Sequence, residues 1–144
     1  MKTLLLMLLF QTASPEVGLA SDFRSLCIDH QGAPAAAYAA AEAAGWTVDP
    51  DDARFRVRDS GAGTVTLVAV DNEGGAICYV SADAELRGVD LSLLAATGLG
   101  IETVRLRSGD TLNVVRTVDG QPAPRGWAVG VIASSRGTTI MLIR

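Results

Sequence analysis

Arg54-Phe55-Arg56-Val57-Arg58 alternates charged and apolar residues without a break. After Ser60-Gly61-Ala62-Gly63 the chain enters Thr64-Val65-Thr66-Leu67-Val68-Ala69-Val70, a largely β-branched run. A period of two over such lengths is the pattern of strands, and the glycines between the two runs turn the chain back on itself. Asn72-Glu73-Gly74-Gly75 supplies a second hairpin turn before a third strand at residues 76–80. The same grammar continues downstream, with strands expected at 102–107, 111–118, 127–133 and 138–143. Their links are short: Ser108-Gly109-Asp110, the stiff Gln121-Pro122-Ala123-Pro124-Arg125, and Ser134-Ser135-Arg136-Gly137. Short links join antiparallel neighbours, so the sequence predicts a mainly antiparallel sheet of about seven strands.

Upstream of residue 54 the period is helical. Leu19, Phe23, Leu26, Cys27 and His30 recur at helical spacing, with Ser21 as the expected N-cap and Gly32 as the stop. Pro34 opens a second, alanine-rich helix over 35–44. Gly45 ends it in a left-handed conformation and lets Trp46 fold back over Ala40 or Ala41. A short third helix is expected after Asp90, which caps it; Val89 and Leu94 form its hydrophobic staple, and Gly98 stops it. Two N-terminal helices and one middle helix on a sheet make an α+β fold, a single domain with no repeat and no long linker.

The 144 residues carry 12 basic against 16 acidic side chains, a formal charge of −4, with 49% hydrophobic residues. That balance excludes a nucleic-acid partner, which needs a basic footprint. No apolar run reaches the 18 or so residues that span a bilayer, so the mature chain has no transmembrane segment. Lys2 followed by Leu4-Leu5-Leu6-Met7-Leu8-Leu9-Phe10 reads as the charged and apolar parts of an export signal. Gly18-Leu19-Ala20 offers small residues at −3 and −1. The expected leader is therefore residues 1–20 and the mature domain residues 21–144, with cleavage after Ala13 the weaker option because Gln11 would then stand at −3. Lys2 is the only lysine, so all mature positive charge is guanidinium.

Phe23-Arg24-Ser25-Leu26-Cys27, the helix end Ala41-Glu42-Ala43-Ala44-Gly45-Trp46 and a later strand cysteine, Cys78, resemble small uncharacterised secreted proteins of proteobacteria. The resemblance rests on these two helices and Cys78. It implies a periplasmic or secreted location and brings no activity with it.

An even pair of cysteines in a small exported domain favours a Cys27–Cys78 disulfide. The rival reading pairs Cys27 with His30, one helical turn apart, as a thiolate–imidazole couple for a small periplasmic hydrolase or thiol enzyme. One histidine, no G-x-S-x-G elbow and no mature lysine exclude most nucleophilic and Schiff-base schemes. Two cysteines and one histidine leave no structural zinc site, and no cofactor motif is complete. Asp49, Asp51 and Asp52 could gather a cation but read better as a solvated loop.

The arginines suggest a surface instead. Arg54, Arg56 and Arg58 share one face of their strand, opposite Phe55 and Val57, while Arg105 and Arg107 lie opposite Val104 and Leu106. If both strands join one sheet, the five guanidinium groups could form an anion-binding face. The favoured function is an exported, non-catalytic envelope protein that binds a protein partner or an anionic ligand through its sheet. A homo-oligomer is also open, because residues 129–133 and 140–143 look apolar on both faces.

Overall fold

The computed structural model describes residues 14–60, 63–72 and 75–144. Lys2 and the Leu4 to Phe10 run of the expected leader lie outside the described residues, as do Gly61-Ala62 and Glu73-Gly74 at the centres of two expected turns. The first helix, α1, spans Pro15–Asp22 and passes directly into a π-helical segment, Phe23–Ile28. The Asp29 N–H donates to the Arg24 carbonyl five residues back. The wider turn gives Phe23, Leu26, Cys27 and Ile28 a common buried side.

The cap of this helix lies seven residues before the expected N-cap at Ser21. Ser14 is the cap: its hydroxyl accepts from the Val17 N–H at 3.3 Å, and Pro15 occupies the first helical position. Serine followed by proline is a helix-start signature, because proline's missing N–H would have had no helical partner there. Leu19 and Ala20 are in the core at 1% and 0% exposure. The expected boundary between Ala20 and Ser21 falls inside this packed helix.

The second helix, α2 (Pro34–Ala43), ends as its sequence predicts. Gly45 has φ +91°, the Trp46 N–H donates to the Ala41 carbonyl and the Gly45 N–H to that of Glu42. Those paired bonds close a Schellman end and bury Trp46. In α3 (Leu91–Ala96) the Asp90 carboxylate accepts from the Leu93 N–H at 2.9 Å, with Val89 and Leu94 both buried.

Among the described residues nine strands form one antiparallel sheet: β1 (Thr47–Val48), β2 (Arg56–Ser60), β3 (Gly63–Asn72), β4 (Gly75–Ala82), β5 (Leu99–Arg105), β6 (Thr111–Val118), β7 (Gln121–Pro122), β8 (Ala128–Ser134) and β9 (Gly137–Ile143). Their order is β1-β2-β3-β4-β9-β8-β6-β5, with β7 paired to β6. The two strands beyond the expected seven are two-residue pairs. The β7 pair exists because Asp119 and Gly120 both take positive φ, +50° and +78°, and fold the chain tightly back on β6.

All helical segments contribute to one core on one side of the sheet, with Phe23, Leu19, Leu94 and Trp46 packed among Leu67, Cys78, Val80, Ile140 and Leu142. Cys27 of the π-helical segment bonds Cys78 of β4, with Cα atoms 5.6 Å apart and a sequence separation of 51. The disulfide ties the helical layer to the middle of the sheet. No helix among the described residues is long and apolar enough to cross a membrane.

Candidate binding surface

The five arginines are not brought together. β2 is next to one end of the sheet and β5 forms the other end. Arg56 and Arg58 also point the opposite way from the expectation. They stand opposite Leu67 and Val65 of β3, which face the core, so both side chains run under the helical layer and Val57 points outward. Aromatic rings and carboxylates above them supply the reason. The Arg56 guanidinium lies 4.5 Å from the Tyr38 ring centre and bonds Glu42 at 2.8 Å. Arg58 lies 5.3 Å from the Trp46 ring and pairs with Asp22. Apolar arginine stems cover rings while their heads keep a charged partner, so an Arg–x–Arg face can serve as the buried one at a sheet margin. Arg54 pairs with Asp52 at 2.6 Å. Arg105 and Arg107 are exposed and make no ion pair among the described residues. A shared anion-binding face is therefore absent from this arrangement.

Arg24, not singled out by spacing, is the most heavily bonded arginine. Its Nε donates to Asp29 at 2.9 Å, its Nη1 to the Thr97 carbonyl at 2.5 Å, and its two Nη groups grip the Asp119 carboxylate at 3.1 and 2.6 Å. It joins the π-helical segment to the end of α3 and to the β6–β7 turn. The hydrogen bonds from Arg24 hold the Asp119 carboxyl below its ordinary range. Asp119 is thus easier to ionise in the folded than in the unfolded chain. Its contribution is complete above its unfolded pKa, near 4, and is lost as the pH falls through the lower folded value. Asp52, held down to about 2 chiefly by its hydrogen bond from Arg54, acts in the same direction. Asp22 acts oppositely, since burial raises its carboxyl more than Arg58 lowers it. Urea midpoints of wild type and an Asp119→Asn variant should accordingly converge as the pH drops from about 5 to about 2. Parallel curves would show that the Arg24–Asp119 pair contributes nothing to stability.

Neither cysteine is a thiol, so the Cys27–His30 couple is not formed; the Cys27 sulfur belongs to Cys78. No group of three or more His, Cys, Asp or Glu side chains converges to hold a metal among the described residues. Asp49 and Asp52 accept from the backbone N–H groups of Asp51 and Arg54, so these acids close their own turn. A cavity of about 410 Å³ between α1 and α3 is lined mainly by apolar atoms of Val17, Ala20, Leu93 and Ala96. Its charged wall is Arg24, already engaged by the two carboxylates and the carbonyl described above.

The outer side of the sheet is different. Leu67, Val80, Ile140 and Val131 stand opposite one another across β3, β4, β9 and β8 and face the helices, so alternate residues face away. On that outer face Val70, Ile77, Ile143, Ala128 and Val114 align in one row across β3, β4, β9, β8 and β6. A second row is Val68, Tyr79, Met141 and Gly130, and a third is Val57, Thr66, Ser81, Thr139 and Ile132. None of these side chains is charged. Among the described residues no helix covers them, and Val70, Ile77, Ile143 and Ile132 are 44%, 38%, 42% and 58% exposed. Val68 and Ala128 are buried within this face at 5% and 6% exposure, and Thr66, Ser81 and Thr139 make the third row polar. The contiguous exposed apolar residues are therefore Val70, Ile77 and Ile143; such a group marks an interaction site, whereas scattered ones do not. The sequence signal for this face is the double-sided apolar character of residues 129–133 and 140–143.

No family model matches the chain, and neither a curated protein nor a solved structure does.

Proposed function

We propose that this chain is an exported, non-catalytic binding protein that docks a protein partner through the outer face of its sheet. The observation that carries the reading is the one-sided layering: among the described residues every helical segment packs on one face, and the other bears an apolar row across five strands in which Val70, Ile77 and Ile143 are exposed. A protein partner fits this surface better than an anionic ligand, because Arg54, Arg56 and Arg58 are each paired to a carboxylate. The Cys27–Cys78 bond supports export to an oxidising compartment, periplasmic or extracellular. In that reading the leader keeps Lys2 and the apolar run but ends ahead of Pro15, with Ala13 at −1, so that the helix holding Leu19 stays whole.

A photo-crosslinking residue placed at Ile77, in protein expressed in cells with its leader, tests the docking surface. It should yield a covalent protein adduct that the same residue at exposed Arg87 does not give. The protein should also fractionate with the envelope or medium and contain no alkylatable thiol. No adduct from Ile77 would remove the docking reading, and a cytoplasmic chain with two free thiols would remove export.

A further inference from the structure

We infer that a cavity of about 230 Å³, between the end of the π-helical segment and the β6–β7 turn, binds a small neutral ring bearing hydroxyl groups, of monosaccharide size. Trp127 and Ile28, both members of the core beneath the helices, line it together with Pro122 and Pro124. It is therefore on the helical side of the sheet, and the inference is independent of the outer face. Sites for drug-sized ligands occupy roughly 300–1,000 Å³, so this volume suits one small ring.

Polar groups without partners carry the argument. Trp127 is only 4% exposed, yet its indole N–H makes no hydrogen bond among the described residues. That N–H is not sealed off either: among the described residues the one unpaired side-chain polar atom cut off from solvent is Arg58 Nε. A buried indole normally finds an acceptor, and the open space that Trp127 lines is this cavity. Gln31 lines it too, and its amide has no partner among the described residues. Gln31 has φ +54° where the helical segment ends, and its backbone N–H donates to the Ile28 carbonyl. Glycine takes that left-handed position without strain, so the turn itself has no need of the glutamine side chain. Asp29 completes the set. Its Oδ1 accepts from Arg24 Nε, and its Oδ2 accepts from nothing among the described residues.

These groups select the chemistry of the ligand. The indole only donates, the free carboxylate oxygen only accepts, and the amide does both. Hydroxyl groups, which donate and accept, answer all of them. Asp29 is the only charged residue lining the cavity apart from Arg24's contact with it, and that contact balances its charge. An anion would meet a carboxylate with no lining cation, and an amine would find its counter-charge already taken. The Trp127 ring is held in the core, so its faces offer no platform to a flat aromatic ligand. Ile28, Pro122 and Pro124 offer aliphatic surface instead, which suits the C–H groups of a saturated ring.

The test is titration of the purified, oxidised protein with glucose, galactose and N-acetylglucosamine, followed through the indole N–H signals in proton–nitrogen correlation spectra. Glucuronate and phenol serve as the charged and the flat aromatic comparisons. The chain has two tryptophans, and a Trp127→Phe variant identifies which signal is which. At least one neutral sugar should shift the Trp127 signal saturably, with a Kd of about 1 mM or lower, and leave the Trp46 signal in place. Trp127→Phe, which keeps a ring and removes the donor, should raise that Kd about threefold to tenfold, the worth of one hydrogen bond. Should Trp127→Phe fail to fold, Trp46→Phe assigns the signals and Gln31→Gly carries the test. Gln31→Gly relieves the left-handed strain, so it should melt no lower than wild type and yet bind at least about threefold more weakly. Gln31→Gly protein that binds as tightly as wild type would overturn the site. An unmoved Trp127 signal at about 50 mM of every sugar, far above the expected constant, would overturn it as well. Glucuronate or phenol binding more tightly than all three neutral sugars would overturn the ligand class.

Discussion

A Cys27→Ala, Cys78→Ala double variant is expected to lose about 4 kcal/mol of stability, the chain-entropy value for a bridge closing a loop of this length. For a domain of this size that corresponds to a fall in Tm of roughly 12–20 °C. Replacing both residues avoids leaving a lone thiol. The loss arises mainly in the unfolded chain, which gains the freedom the bridge denied it. The native state adds a smaller penalty, because both cysteines are fully buried between the π-helical segment and β4. Two measurements check this: thermal melts of variant and wild type, and a melt of wild type under reductant. The reduced wild type should fall to the variant's midpoint. A loss under 1 kcal/mol would mean that the unfolded chain stays compact enough around Cys27 and Cys78 for the bridge to restrain little.

The fate of β2 shows what the sequence could and could not say about the surface. Alternation in Arg54 to Arg58 located the strand, since a period of two is a property of the backbone. Alternation does not state which side of the sheet is covered. The usual rule sends Phe55 and Val57 inward, and it fails because α2 and its Schellman end bring Tyr38 and Trp46 over the sheet margin, where arginine stems pack on rings. Elements fixed by local chemistry were legible: Gly45 ending α2, Asp90 capping α3, and the antiparallel pairing of β2 with β3, β3 with β4 and β8 with β9. The cysteine pair was legible too, because two cysteines allow one bridge. The place of β9 between β4 and β8 was not, since strand order depends on contacts far apart in the chain. The outer apolar face lay between these cases. Residues 129–133 and 140–143 showed that both sides of two strands were apolar, but only the register aligned Ile143 with Ile77, Ala128 and Val70.

A chain beginning at Ser21 is expected to be less stable than one beginning at Ser14 by about 3–5 kcal/mol. Losing the buried Leu19 side chain accounts for most of this, since removing a large aliphatic group from a packed core costs about 2–5 kcal/mol. Losing the Ser14 cap adds about 1 kcal/mol. Ala20 is fully buried as well, and its removal takes a second member from the same core cluster. The new amino terminus at Ser21 would also place a positive charge at the start of a helix, where the macrodipole disfavours it. Short leaders and amphipathic first helices share an apolar run followed by small residues, which is why Gly18-Leu19-Ala20 reads as a cleavage site in sequence. Burial of Leu19 is what gives the comparison its size: a chain cut after Ala20 would leave its place in the core unfilled. Urea or thermal unfolding of the two chains, both oxidised, measures the difference. Equal midpoints would show that residues 14–20 are dispensable, and N-terminal sequencing of natural protein that starts at Ser21 would show that the cell dispenses with them.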